Sequence, residues 1–167
     1  MKILYLHGLD GSLSHDKRSA LEKYGKVIGP DIDYRATPNT IIETGEQYQA
    51  ENIDIVIGNS MGGLAAYYIS LKYDTPCLIF NPALPYTSVS QTIPENPGKR
   101  NQFLQVVLGR KDDVIRLNDN LKFLEQNIDS DVDATVHVLN TVGHRISIEV
   151  FEAEIKTFFD SLANRLI

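Results

Sequence analysis

Tryptophan is absent from this chain, methionine occurs twice and cysteine once. The lone Cys77 excludes an internal disulfide, and its place between Pro76 and the apolar run Leu78-Ile79-Phe80 marks it as a small core residue, not a nucleophile. Long apolar runs are also missing. No stretch approaches the ~20 residues that a membrane-spanning helix needs, and the apolar part of Met1-Lys2-Ile3-Leu4-Tyr5-Leu6-His7-Gly8 is too short for a signal peptide. A cytoplasmic location is the resulting expectation. Positive charge is scarce: 16 Lys and Arg stand against 22 Asp and Glu, a net charge of −6, which argues against a nucleic-acid or anionic-membrane partner.

What is present is ordinary for a globular protein, 43% apolar and 23% charged residues. The 167 residues are expected to form one domain, 1–167, with a sizeable core and no length to spare for a separate cap domain.

The most informative stretch is Ile53-Asp54-Ile55-Val56-Ile57-Gly58-Asn59-Ser60-Met61-Gly62-Gly63. A β-branched run leads into Gly-x-Ser-x-Gly, and a long apolar helix pattern follows at once. This is the pattern of a nucleophile elbow, a strand-turn-helix corner sharp enough to strain the serine backbone and to require glycine on either side. The corner would lift the Ser60 hydroxyl above the sheet, where a histidine can take its proton. A helix beginning just behind it supplies unpaired N–H groups and the positive end of a dipole.

Strands and helices alternate along the chain. Lys2 to Leu6 reads as a strand ending in His7-Gly8-Leu9-Asp10-Gly11-Ser12, the kind of loop that supplies an oxyanion-hole amide in serine hydrolases. Leu9 is the expected donor, with Asp10 as the alternative. His7, at the strand end, suits structural hydrogen bonding better than proton transfer. Ser14 caps a helix that stops at Gly25, Val27 to Asp33 forms a second strand, and Thr37-Pro38 opens a second helix. The nucleophile strand is third. Leu64 to Tyr73 is apolar almost all round and so is a helix buried against the sheet. This alternation predicts right-handed crossovers and a parallel sheet of about six strands in a three-layer α/β/α sandwich.

After a fourth strand, Cys77 to Phe80, residues 81–101 break the pattern with Pro82, Pro85, Pro94 and Pro97 and end in Gly98-Lys99-Arg100. A segment of this length at the carboxyl edge of a sheet reads as a short lid beside Ser60. Gln102 to Leu108 is a fifth strand, followed by Gly109-Arg110-Lys111-Asp112-Asp113. A carboxylate just past a strand end is where the acid of a serine-acid-histidine series belongs; spacing favours Asp112, and Asp113 stays open. Leu117, Leu121 and Leu124 form the apolar stripe of the next helix. Ala134 to Val142 is a sixth strand, with a structural His137 inside it. Gly143-His144 follows it directly. The last helix is capped by Ser147 and buries Ile148, Phe151, Ile155, Phe158 and Leu162.

Ser60, Asp112 and His144 therefore fall in order at strand ends on one sheet edge, as an acyl-transfer nucleophile, orienting acid and general base. The amides of Leu9 and Met61 are the expected oxyanion hole, and His7, Gly8, Asp10, Asn59 and Pro82 are the expected lining of the substrate site. No metal site is expected. Lys99-Arg100 and Arg110-Lys111 read as solvated surface rather than as an anion-binding cluster.

Taken together, His7-Gly8, Gly58-Asn59-Ser60-Met61-Gly62-Gly63, Asn81-Pro82-Ala83, Asp112-Asp113-Val114-Ile115 and Gly143-His144 resemble the small, capless α/β-hydrolases of the YqiA-like esterase group. The resemblance runs nearly end to end. It implies a compact α/β-hydrolase fold, serine esterase activity on small-molecule esters with short acyl groups, no cofactor, and Ser60, Asp112 and His144 as a triad. The chain departs from the group in its short segment between strands four and five and in the Gly109-Arg110-Lys111 spacing. Three other readings remain: a thioesterase or amidase using the same residues, an inactive binding protein on this scaffold, and a flavodoxin-like nucleotide module. The last is disfavoured because the first loop lacks the glycine spacing of a phosphate loop.

Overall fold

The computed structural model describes residues 1–85, 88–94 and 98–165. The elements run β1 (Lys2–Leu6), α1 (His15–Glu22), β2 (Lys26–Ile28), α2 (Thr40–Gln49), β3 (Ile55–Asn59), α3 (Met61–Tyr73), β4 (Cys77–Phe80), β5 (Leu104–Gly109), α4 (Leu117–Asn127), β6 (Ala134–Leu139) and α5 (Ile148–Arg165). All six strands pair in parallel in the order β2-β1-β3-β4-β5-β6.

Given that order, crossover handedness decides which face each helix covers. The chain steps one way from β1 to β2, then returns past β1 to β3 and continues outward. Right-handed connections in opposite directions place their helices on opposite faces. Accordingly, side chains alternate along each strand between two cores. Leu4, Leu6, Val56, Ile79, Val106 and Leu108 face α2, α3 and α4, while Ile3, Tyr5, Ile55, Ile57, Leu78 and Phe80 face α1 and α5. The direction reverses between β1 and β3, so their carboxyl ends diverge to leave the crevice where open α/β sheets bind ligands.

Local chemistry sets most helix ends. Ser14 accepts from Lys17 N–H at α1, and Asp74 ends α3 in the left-handed conformation, donating its N–H to Ser70 O. Several boundaries differ from the sequence reading. The second strand is only Lys26–Ile28, because Gly29-Pro30 ends its ladder, and α2 begins at Thr40 rather than at Thr37-Pro38. In α4 the inward position is Asn120, 1% exposed, while Leu121 turns outward.

The segment between β4 and β5 is tied down where it is described. Gln91 is buried; its Nε2 donates to Tyr34 O at 2.7 Å and Thr37 O at 3.2 Å, and its Oε1 accepts from Ile41 N–H at 3.2 Å. Tyr86, Thr87 and residues 95–97 of the expected lid lie outside the described residues. Arg100 corrects the reading of a solvated basic cluster. It is 7% exposed, donates to Tyr67 O and Ser70 Oγ, and holds its guanidinium 5.1 Å over the centre of the Tyr67 ring. Among the described residues no helix is long and apolar enough to cross a membrane.

Candidate active site

Ser60 sits between the last residue of β3 and the first of α3 with φ 55° and ψ −120°, a backbone conformation that L-residues adopt only under constraint. Three hydrogen bonds hold it there. Its N–H donates to Phe80 O at 3.0 Å, and its carbonyl accepts from Leu64 N–H at 3.1 Å and Ala83 N–H at 3.0 Å. Gly58 and Gly62 leave the space the reversal needs, and Pro82 lies against Gly63, where a Cβ would come within 2.8 Å of the Pro82 ring. The hydroxyl is left facing the carboxyl edge of the sheet.

His144 Nε2 lies 3.1 Å from Ser60 Oγ, and His144 Nδ1 lies 2.8 Å from Asp112 Oδ2. The second oxygen of Asp112 accepts from Val114 N–H at 2.9 Å and Ile115 N–H at 2.8 Å. Those amides fix the carboxylate, and its side chain is 1% exposed against 21% for His144. An acceptor-only carboxylate at Nδ1 requires the proton on that nitrogen, leaving Nε2 as an acceptor aimed at Ser60. Asp113, the alternative acid, points to solvent.

His7 is turned inward and is 2% exposed. Its Nε2 accepts from Ile32 N–H at 2.8 Å, so its Nδ1 carries the proton and donates to Gly8 O at 2.7 Å. With both nitrogens committed to backbone, His7 supports the first loop from beneath. That corrects its expected place in the substrate lining. Tyr34 braces the same loop by donating to His7 O at 3.0 Å.

The other expected residues are distributed as follows. Met61 is the first residue of α3, so its N–H has no partner within the helix, and Leu9 N–H makes no hydrogen bond among the described residues. Gly8 lies close under the elbow; a Cβ there would approach the Ser60 Cβ to 3.1 Å. Asp10, with φ 55°, is exposed and pairs with Arg35. Asn59 accepts from Tyr5 O–H at 2.8 Å through Oδ1. Pro82 is buried, with its ring against Gly63 of α3. The sequence reading had no signal for Tyr5, Tyr34 and Gln91, whose partners are distant in the chain. Among the described residues no His, Cys, Asp and Glu group has the arrangement of a metal site.

A profile described as uncharacterised protein family (UPF0227) matches residues 2–108. Solved structures of similar fold include SOBER1 of Arabidopsis thaliana, 18% identical with a TM-score of 0.65 over 95% of this chain and 99% of that one. Est1E from Butyrivibrio proteoclasticus is 13% identical, with a TM-score of 0.67 over 96% of this chain and 87% of that one. Fluorophosphonate-binding serine hydrolase F of Staphylococcus aureus is 15% identical, with a TM-score of 0.64 over 93% and 80%. These likenesses show a shared α/β-hydrolase fold. No curated protein matches the chain.

Proposed function

The chain belongs to the uncharacterised protein family UPF0227, and on that footing we propose that it is a serine hydrolase of small carboxylic esters. The observation that carries this reading is His144, whose ring lies 3.1 Å from Ser60 Oγ on one side and 2.8 Å from Asp112 Oδ2 on the other.

In the reaction, His144 Nε2 takes the Ser60 proton as Oγ attacks the ester carbonyl carbon. Asp112 holds the ring and offsets the imidazolium charge. The oxyanion of the tetrahedral intermediate lies against the Met61 and Leu9 amides, which stand ready before reaction and so need no reorganisation. Collapse breaks the carbon–oxygen bond to the alkoxide, which leaves with the proton returned by His144. Water then attacks the acyl carbon, giving its proton to His144; the acyl–Oγ bond breaks, His144 returns the proton to Ser60 Oγ, and the carboxylic acid departs.

The short segment between β4 and β5 supports an open site with little discrimination beyond a short acyl group, because specificity by shape requires walls around the substrate. A fluorophosphonate probe tests the reading, being the reagent class for which one protein of similar fold is named. Ser60 of the wild type is expected to label in minutes at micromolar probe, and Ser60→Ala not at all. Equal labelling of the two, or none of the folded wild type, contradicts the assignment.

A further inference from the structure

Asn81 follows directly on β4 and is 2% exposed, with φ 39° in the left-handed region. Asparagine tolerates that region better than other side-chain-bearing residues, but tolerance does not explain its bonds. Its Oδ1 accepts from Gly109 N–H at 2.7 Å, while its Nδ2 donates to Gly143 O at 2.8 Å and His144 O at 3.0 Å. Its own N–H donates to Val107 O at 2.8 Å. The partners determine which end of the amide is which, since exchanging O and N would set an acceptor against two carbonyls and a donor against an N–H.

Those partners are not scattered. Gly109 is the last residue of β5, just before the loop that carries Asp112, and Gly143-His144 is the loop that carries the base. The residues beside Asn81 in turn hold the nucleophile: Phe80 O accepts from Ser60 N–H, and Ala83 N–H donates to Ser60 O, both at 3.0 Å. Residues 80–83 thus bond to Ser60 through backbone and to the acid and base loops through one carboxamide. Lys111 N–H to Val142 O, at 2.9 Å, joins the acid and base loops to each other but ties neither to Ser60.

We propose that Asn81 is a positioning residue that sets the standing of the His144 ring relative to Ser60 and Asp112. The proposal rests on the Ser60-His144-Asp112 chemistry and extends it. His144 must satisfy two contacts at once, and a displacement of about 1 Å at such a site is worth ~10²-fold in rate. A carbonyl of the base's own residue, held by a buried donor, is the most direct handle on that displacement.

The test compares wild type with Asn81→Asp, which keeps the shape but faces two carbonyls with a carboxylate, Asn81→Ala, and Asn81→Gly, which relieves the positive φ. Well below each melting temperature, kcat for p-nitrophenyl acetate is expected to fall 10- to 1,000-fold in all three, with KM within about threefold. The low-field Nδ1 proton of His144, read by 15N-edited NMR, should weaken or vanish. A purely structural role would lower the melting temperature and leave kcat of the folded fraction and that proton unchanged. Such a result overturns the proposal, as does recovery of wild-type kcat in Asn81→Gly. Should Asn81→Ala not fold, the isosteric Asn81→Asp decides the matter. A wild type without turnover or labelling would instead overturn the esterase reading, and the proton resonance would still judge Asn81.

Discussion

Gly58 and Gly62 face one another across the elbow with no room for a methyl group: a Cβ on Gly58 would stand 2.1 Å from the Gly62 carbonyl oxygen. A Cβ on Gly62 would stand 2.0 Å from the Leu6 carbonyl oxygen, on the neighbouring strand. Both obstacles are backbone, so neither can swing aside. Gly58→Ala or Gly62→Ala is expected to cost at least about 3 kcal/mol in urea denaturation, the upper range of overpacking, and to spoil the Ser60 geometry in whatever still folds. An alanine variant with wild-type stability would show that the corner is looser than these distances imply.

Burial pushes the phenols of Tyr5 and Tyr34 far above the ordinary tyrosine range. The native state therefore keeps protons that the unfolded chain loses near pH 10, so the stability these residues contribute is complete below that pH and drains away above it. Tyrosinate absorbance and far-UV circular dichroism, followed together from pH 9 upward, should show the last phenols ionising only as the helices melt. Ionisation of all 8 tyrosines with the ellipticity intact would contradict this.

Cys77 is fully buried on β4, and burial pushes its thiol upward, away from the reactive thiolate. A disulfide reagent at pH 8 should leave the native protein untouched and titrate one thiol after unfolding. Rapid stoichiometric reaction of the folded protein would require the sheet centre to open far more readily than its packing allows.

Gln91 is the pin of the segment between β4 and β5. Replacing it with alanine strands Ile41 N–H and Tyr34 O in a buried place, at about 1–3 kcal/mol for such groups. Gln91→Ala should lower the urea midpoint accordingly, with the slope unchanged. A loss below about 0.5 kcal/mol would mean that water replaces the amide.

Much of this was legible in the chain because it is local or periodic. Short apolar and β-branched runs give the six strands, and the glycines around Ser60 announce a corner before any partner is known. The parallel direction of the strands follows from the helical spacers, whereas their order does not. What stayed hidden depends on residues far apart. His7 and His144 both stand just past a strand in sequence, and the partners of their rings, the Ile32 N–H for one and the Asp112 carboxylate for the other, lie far along the chain. Arg100 sits in a basic, apparently solvated run, yet its guanidinium finds the Tyr67 carbonyl and ring. The α4 stripe fails at Leu121 because the helix turns Asn120 inward. Asn81 was recognisable as a family mark, whereas its three side-chain bonds depend on loops 28 to 63 positions further along the chain.

The most direct measurement is hydrolysis of p-nitrophenyl acetate by wild type and by Ser60→Ala, His144→Ala, Asp112→Asn and Asp113→Asn, each checked for folding. The buried Asp112 holds the ring and the exposed Asp113 does not, so the first three should lose on the order of 10⁴-fold or more in kcat and the fourth less than about threefold. Activity that survives Ser60→Ala, or that falls with Asp113→Asn while Asp112→Asn retains it, would contradict the account.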